Sequence, residues 1–144
     1  MVTYLLDTNV VSEWRHDPMD QNVRAWVASV FESELAISVI TLAELRSGMS
    51  RLPAGRRRAE LERWLEHDVR TRFRGRILGI DEDVADRCGV LLGANHLSIH
   101  IRRIMDFWLA AIAIQHGLTI VSRNERNFRD LGVRLLNPWG KDPS

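Results

Sequence analysis

Tyr4-Leu5-Leu6-Asp7-Thr8-Asn9 is the stretch on which the reading of this chain turns. A short apolar run, Val2 to Leu6, ends abruptly in an acid, a hydroxyl and an amide. The run is too short for a stable helix and has the composition of a buried strand. Asp7 then sits at the strand's carboxyl end, where open α/β sheets bind ligands. Asp, Thr and Asn are also helix N-cap residues, and Val10-Val11-Ser12-Glu13-Trp14 can begin a helix. Capping alone would account for Asp7, so the placement of the other isolated acids decides the matter.

Outward from that strand, helix and strand signals alternate. Val23, Trp26, Val27, Val30 and Phe31 give an amphipathic helix over Asp20 to Phe31, with Asp20 as its cap. Leu35-Ala36-Ile37-Ser38-Val39 reads as a second buried strand. Thr41 to Met49 reads as a helix, and Thr41 with Glu44 three residues on fits a capping box. Pro53-Ala54-Gly55 punctuates the chain, and an amphipathic helix follows from Arg56 to Phe73. Gly75 to Ile80 holds a third, short strand; Asp81 caps a helix running to Leu97. Ile104 to Gly117 is almost wholly apolar, as a buried helix is, with Gly117 where a left-handed terminator belongs. Leu118-Thr119-Ile120-Val121 is a fourth strand, Ser122 to Phe128 a polar loop and short helix, and Val133 to Leu136 a fifth, edge-like strand. The alternation predicts the α/β class: an α/β/α sandwich around a mainly parallel sheet of about five strands.

The bulk properties agree. A chain of 144 residues with 45% hydrophobic and 27% charged residues is expected to form one domain over 1–144. At that length about 70% of the unfolded surface can be buried, without disulfide or structural metal. The single cysteine, Cys88, allows no internal disulfide, reads as core and fits a reducing cytoplasm. No apolar run approaches the roughly 18 residues of a membrane span, and nothing resembles a signal peptide. The net charge of +1 predicts no partner, but nine arginines against four acids fall between Arg51 and Arg76. Arg102-Arg103 forms a second basic cluster. One such cluster is usually a solvated helix face; two beside an acidic site favour a polyanion backbone.

Three isolated acids, Asp7, Glu44 and Asp106, each fall just past a strand or at the start of a helix. Each has a structural explanation: Asp7 as a cap, Glu44 in a capping box, Asp106 near a positive helix end, worth roughly 0.3–1 kcal/mol. Yet an acid set between Met105 and Phe107 in a buried helix is costly without a strong partner. If the three share one rim they repel, and a proton or a divalent cation must relieve them. Mg²⁺ and Mn²⁺ take oxygen ligands, and such an ion can acidify a bound water and neutralise a scissile phosphate. Thr8, Asn9, Ser122 and Asn124 are suited to hold those ligands and waters in place. The five histidines have no ligand-like spacing, no Cys/His cluster offers a zinc site, and there is no Gly-rich phosphate loop.

Four motifs, taken together and in order, resemble the PIN-domain family, and more narrowly its VapC/FitB-type toxins: Leu-Leu-Asp-Thr-Asn at 5–9, Ile-Thr-Leu-Ala-Glu-Leu-Arg-Ser-Gly at 40–48, Met-Asp-Phe-Trp-Leu-Ala-Ala-Ile-Ala at 105–113 and Leu-Thr-Ile-Val-Ser-Arg-Asn at 118–124. The closing Asn-Pro-Trp at 137–139 is similar to the FitB-like branch. The resemblance implies a Mg²⁺- or Mn²⁺-dependent endoribonuclease, the toxin of a type II toxin–antitoxin module, hydrolysing RNA with a metal-activated water. It carries over Asp7, Glu44 and Asp106 as catalytic, metal-holding acids, mainly Asp7 and Asp106 with Glu44 direct or through water. Arg46, Arg56, Arg57, Arg58, Arg102 and Arg103 are the candidates to hold the RNA backbone. The family often has a fourth acid after the fourth strand. Here Asn124 and Asn127 stand in its place and Glu125 is the only acid nearby, which weakens a second metal site more than the first. The resemblance also implies an antitoxin with a DNA-binding domain and a homodimer. The competing readings are a PIN-like module that binds RNA or protein without cutting, a DNase of the same chemistry, and a structural domain with three capping acids.

Overall fold

The computed structural model describes residues 1–95 and 103–140. Five short strands form one all-parallel sheet in the order β3-β2-β1-β4-β5. They are β1 (Tyr4–Leu6), β2 (Leu35–Ser38), β3 (Ile77–Leu78), β4 (Thr119–Val121) and β5 (Arg134–Leu136). The chain builds outward from β1 to β3, then returns to the other side of β1 for β4 and β5. The carboxyl ends of β1 and β4 therefore flank the topological switch point, the crevice where such sheets bind ligands.

The apolar runs are continuous because both faces of the strands are covered. Leu5, Ala36 and Ile120 belong to one apolar layer, and their neighbours Leu6, Ile37 and Val121 to the other. The first layer is completed by Val84 and Cys88 of α6 (Glu82–Ala94) and by α7 (Ile104–His116). Phe107, Leu109, Ala110, Ala111, Ile112 and Ala113 of α7 are all at most 1% exposed, so this helix is buried on most sides. It ends at Gly117 in the left-handed conformation (φ 66°), where Leu118 N–H donates to Ala113 O at 2.8 Å. The second layer takes Val10 and Val11 of α1 (Thr8–Glu13), Trp26 of α2 (Gln21–Ser29), Met49 of α3 (Val39–Ser50) and Leu61 of α4 (Arg56–Arg63). α4 continues as a π-helical segment, Trp64–Val69, and ends in α5 (Arg70–Arg72). The helix expected from Arg56 to Phe73 is thus real but not uniformly α-helical.

Two boundaries move. The second strand stops at Ser38, because the Ser38 hydroxyl accepts from Ile40 N–H and Thr41 N–H at 3.2 and 3.3 Å and starts α3 at Val39. The capping box expected of Thr41 and Glu44 does not form: Thr41 is already inside the first turn and buried. The helix expected to reach Leu97 is described to Ala94, and its last expected residues lie outside the described range. Cys88 is fully buried, and burial pushes its thiol pKa up. Among the described residues no helix is long and apolar enough to cross a membrane.

Candidate active site

Asp7 ends β1 and caps α1 with the same residue. Its N–H donates to Val121 O at 2.9 Å, closing the ladder to β4, and its carbonyl accepts from Val10 and Val11 N–H. Its Oδ1 accepts from Thr8 N–H at 2.8 Å and its Oδ2 from the Ser122 hydroxyl at 2.7 Å. The capping role and the role at the rim therefore coexist. Burial raises the Asp7 pKa, and the Ser122 and Thr8 hydrogen bonds pull it back. Ser122, itself fully buried, is the hub of this corner. It receives Asn9 Nδ2 at 3.2 Å and Asn124 N–H at 2.9 Å, while Asn9 Oδ1 accepts from Arg123 N–H at 3.3 Å. The loop after β4 is thereby stitched to the first turn of α1.

Freed from a capping box, Glu44 turns to the same place. Its Oε1 accepts from the Thr8 hydroxyl at 2.8 Å, and that hydroxyl lies 3.3 Å from Thr41 Oγ1. Burial raises the Glu44 pKa, the Thr8 bond opposes this, and the Asp7 charge adds to it. Asp106 lies in the first turn of α7, and the residue at that helix's N-cap, Arg103, makes no side-chain cap bond. Burial first, then the charges of Asp7 and Glu44, push the Asp106 pKa up to about 7 against the pull of Arg103. Burial and mutual repulsion thus weigh against all three acids being charged together.

All three line one cavity of about 510 Å³ at the switch point. Thr8, Asn9 and Asn124 line it too, while Ser122 stands behind Asp7. Asn127 lines the cavity as well, in a position where a fourth acid was sought; Glu125 does not, and its Oε2 lies 3.5 Å from Asn137 Nδ2. Glu44 also borders a neighbouring hollow of about 520 Å³ that contains Ser47 and Arg51. Sequence reasoning did not find the far wall of the acid cavity: Glu13, His16, Arg123 and Trp139. Glu13 is 6% exposed; it accepts from Asp20 N–H at 2.8 Å and pairs with His16 Nδ1 at 3.0 Å. Its spacing to Asn9 and His16 on one helical face was a signal the sequence did carry.

The arginines proposed for the RNA backbone are scattered. Arg46 pairs with Glu66, Arg56 with Glu60 and Arg58 with Glu62, while Arg57 makes no ion pair among the described residues. Arg103 is turned inward: a terminal nitrogen donates to Asn127 O at 2.8 Å, the guanidinium lies 5.4 Å from the Phe107 ring centre, and its buried Nε has no partner among the described residues. Arg102 lies outside the described residues.

The donor set suits a hard divalent cation. It is all oxygen, two of the acids are held by hydrogen bonds, and burial, then the charges of the other two, disfavour the ionised form of the third. Among the described residues no three His, Cys, Asp or Glu side chains stand in ligating geometry, so they form no closed cage.

Comparison with known proteins identifies the family to which this fold belongs. The PIN domain family matches residues 4–133. The chain is 36% identical over 136 residues to VapC ribonuclease Y4jK of Sinorhizobium fredii, covering 94% of this chain and 96% of that protein. It is 36% identical over 137 residues to toxin FitB of Neisseria gonorrhoeae, covering 94% and 97%. The solved structure of FitAcB from Neisseria gonorrhoeae superimposes with a TM-score of 0.85 at 34% identity, covering 96% of this chain and 100% of that one. The structure of FitAB bound to a DNA fragment gives the same score and identity, covering 96% and 97%. With its five parallel strands, a family match over residues 4–133 and relatives spanning nearly its whole length, the chain belongs to the PIN-domain family and is similar to VapC and FitB members of it.

Proposed function

We propose that this chain is a metal-dependent endoribonuclease and the toxin of a toxin–antitoxin pair. The observation that carries the reading is the convergence of Asp7, Glu44 and Asp106 on one cavity, with no basic side chain hydrogen-bonded to any of them among the described residues. Asp7 and Asp106 would hold Mg²⁺ or Mn²⁺, with Glu44 reaching it directly or through water. When bound, the ion would supply a reactive water at neutral pH and neutralise charge on the scissile phosphate. The chain's own residues do the positioning. Ser122 and the Thr8 N–H each occupy one lone pair of Asp7 and leave a second on each oxygen. The Thr8 hydroxyl fixes the rotamer of Glu44. The name of Y4jK supports RNA as the substrate, and the FitAB complex with DNA supports an antitoxin that reads DNA. A cytoplasmic homodimer is part of the same proposal.

The test is RNA cleavage by the purified chain in Mg²⁺, Mn²⁺ and EDTA. Metal-dependent discrete products are expected. A second reading, a PIN-like module that binds RNA or protein without cutting, is favoured by Asn124 and Asn127 lining the cavity where further acids would add charge. Tight RNA binding with no cleavage in either metal would select it.

A further inference from the structure

We infer that Arg123, laid on Trp139, is a platform for the base of an unpaired nucleotide next to the scissile phosphate. This rests on the nuclease reading for the identity of the scissile phosphate. Among the described residues Arg123 is the only arginine lining the acid cavity. Its guanidinium carbon lies 5.4 Å from the Trp139 ring centre. Both partners are anchored from behind. Arg123 N–H donates to Asn9 Oδ1 at 3.3 Å, and Trp139 N–H donates to Asn137 Oδ1 at 2.9 Å. Trp139 O accepts from Asn22 Nδ2 at 3.3 Å, and the indole packs against the second apolar layer.

Arg123 has no ion pair among the described residues, whereas Arg46, Arg56, Arg58, Arg70, Arg72 and Arg76 each meet a glutamate. It is exposed, and its guanidinium carbon stands over the indole. The exposed guanidinium offers a base a flat, cationic surface, and its N–H groups offer a phosphate their donors. Unpaired bases stack on such planes, while bases inside a duplex have no free face. A lysine would keep the charge but not the plane.

Two measurements on the full chain test this. The first is binding of a 5′-fluorescein-labelled, single-stranded 12-nucleotide RNA by anisotropy in the Asp106→Asn background. Arg123→Ala should weaken binding roughly tenfold, and Arg123→Lys should recover less than half of the loss on a logarithmic scale. The slope of log affinity against log salt should fall by about 0.7 with Arg123→Ala. The second is turnover of single-stranded RNA by chains with Asp106 intact. There Arg123→Ala should raise KM by a similar factor and leave kcat within about twofold. Binding within about twofold of the parent, full recovery by lysine, or an equal loss on a blunt RNA duplex would overturn the platform. A chain that binds RNA through Arg123 but cuts none overturns the nuclease reading alone. A chain that cuts RNA with Arg123→Ala unaffected overturns the platform alone.

Discussion

The rim at the ends of β1 and β4 and the arginine-rich segment from Arg56 to Arg76 hold charge in opposite ways. On the rim, three carboxylates share a cavity, and two of them, Asp7 and Glu44, are held by neutral donors: the Ser122 and Thr8 hydroxyls and a backbone N–H. Along that segment, five of the eight arginines meet a glutamate. Arg72 grips Glu32 through two bonds of 2.7 and 2.9 Å while lying 4.2 Å over the Trp14 ring centre. Arg76 donates to the carbonyls of Glu32 and Arg72, each at 2.6 Å, and to that of Leu35. Local density of charge in a sequence is therefore a poor guide to a ligand site. The group to look for is the one whose charge the fold leaves unanswered.

The largest effect expected is on the rim. Asp106→Asn should lower RNA cleavage at least roughly 100-fold, while Arg56→Ala should change it less than about twofold; initial rates on one RNA substrate compare them. Equal losses in the two would break the contrast. Ser122→Ala, which frees Asp7 Oδ2, should cost about tenfold in activity with a matching rise in the metal concentration needed for half-maximal rate. An unchanged metal requirement would remove Ser122 from the site.

The two regions should also respond to pH with opposite signs. Asp106 has a folded pKa of about 7, above its ordinary 3.8, so the folded chain binds more protons than the unfolded chain between those values. Its contribution therefore favours folding at low pH and is lost as pH rises through about 7. In EDTA, Asp106→Asn should raise Tm by about 3 °C at pH 8, and the gain should shrink as pH falls towards 4. Glu32 is the reverse. The Arg72 hydrogen bonds, assisted by the charges of Arg72 and Arg76, hold its pKa below the ordinary 4.5. Its contribution is present above that value and lost as pH falls below it. Glu32 is about half exposed, so Glu32→Gln should cost only about 0.5 kcal/mol at pH 7, and less at pH 3, by urea unfolding.

What the sequence made legible follows from locality. The three central strands were readable because they are buried on both faces, so Leu5-Leu6 or Ile120-Val121 must be apolar without a break. Asp7, Glu44 and Asp106 were readable because each interrupts or follows such a run. The start of α3 was misplaced because Val39 and Ile40 have the branching of strand residues, and only the Ser38 hydroxyl turns them into a first helical turn. The far wall of the cavity was not readable. His16, Arg123 and Trp139 come from three separated segments, and nothing within any one segment shows that it reaches the acids. Nor could the arginine count reveal that Glu32, forty residues before Arg72, would answer it.

The most direct test is incubation of total cellular RNA with the purified chain, in Mg²⁺, in Mn²⁺ and in EDTA, beside Asp7→Asn. Discrete products that require the metal and vanish with Asp7→Asn are the predicted result. Products of equal yield in EDTA, or from Asp7→Asn, would contradict a metal site built on the rim acids.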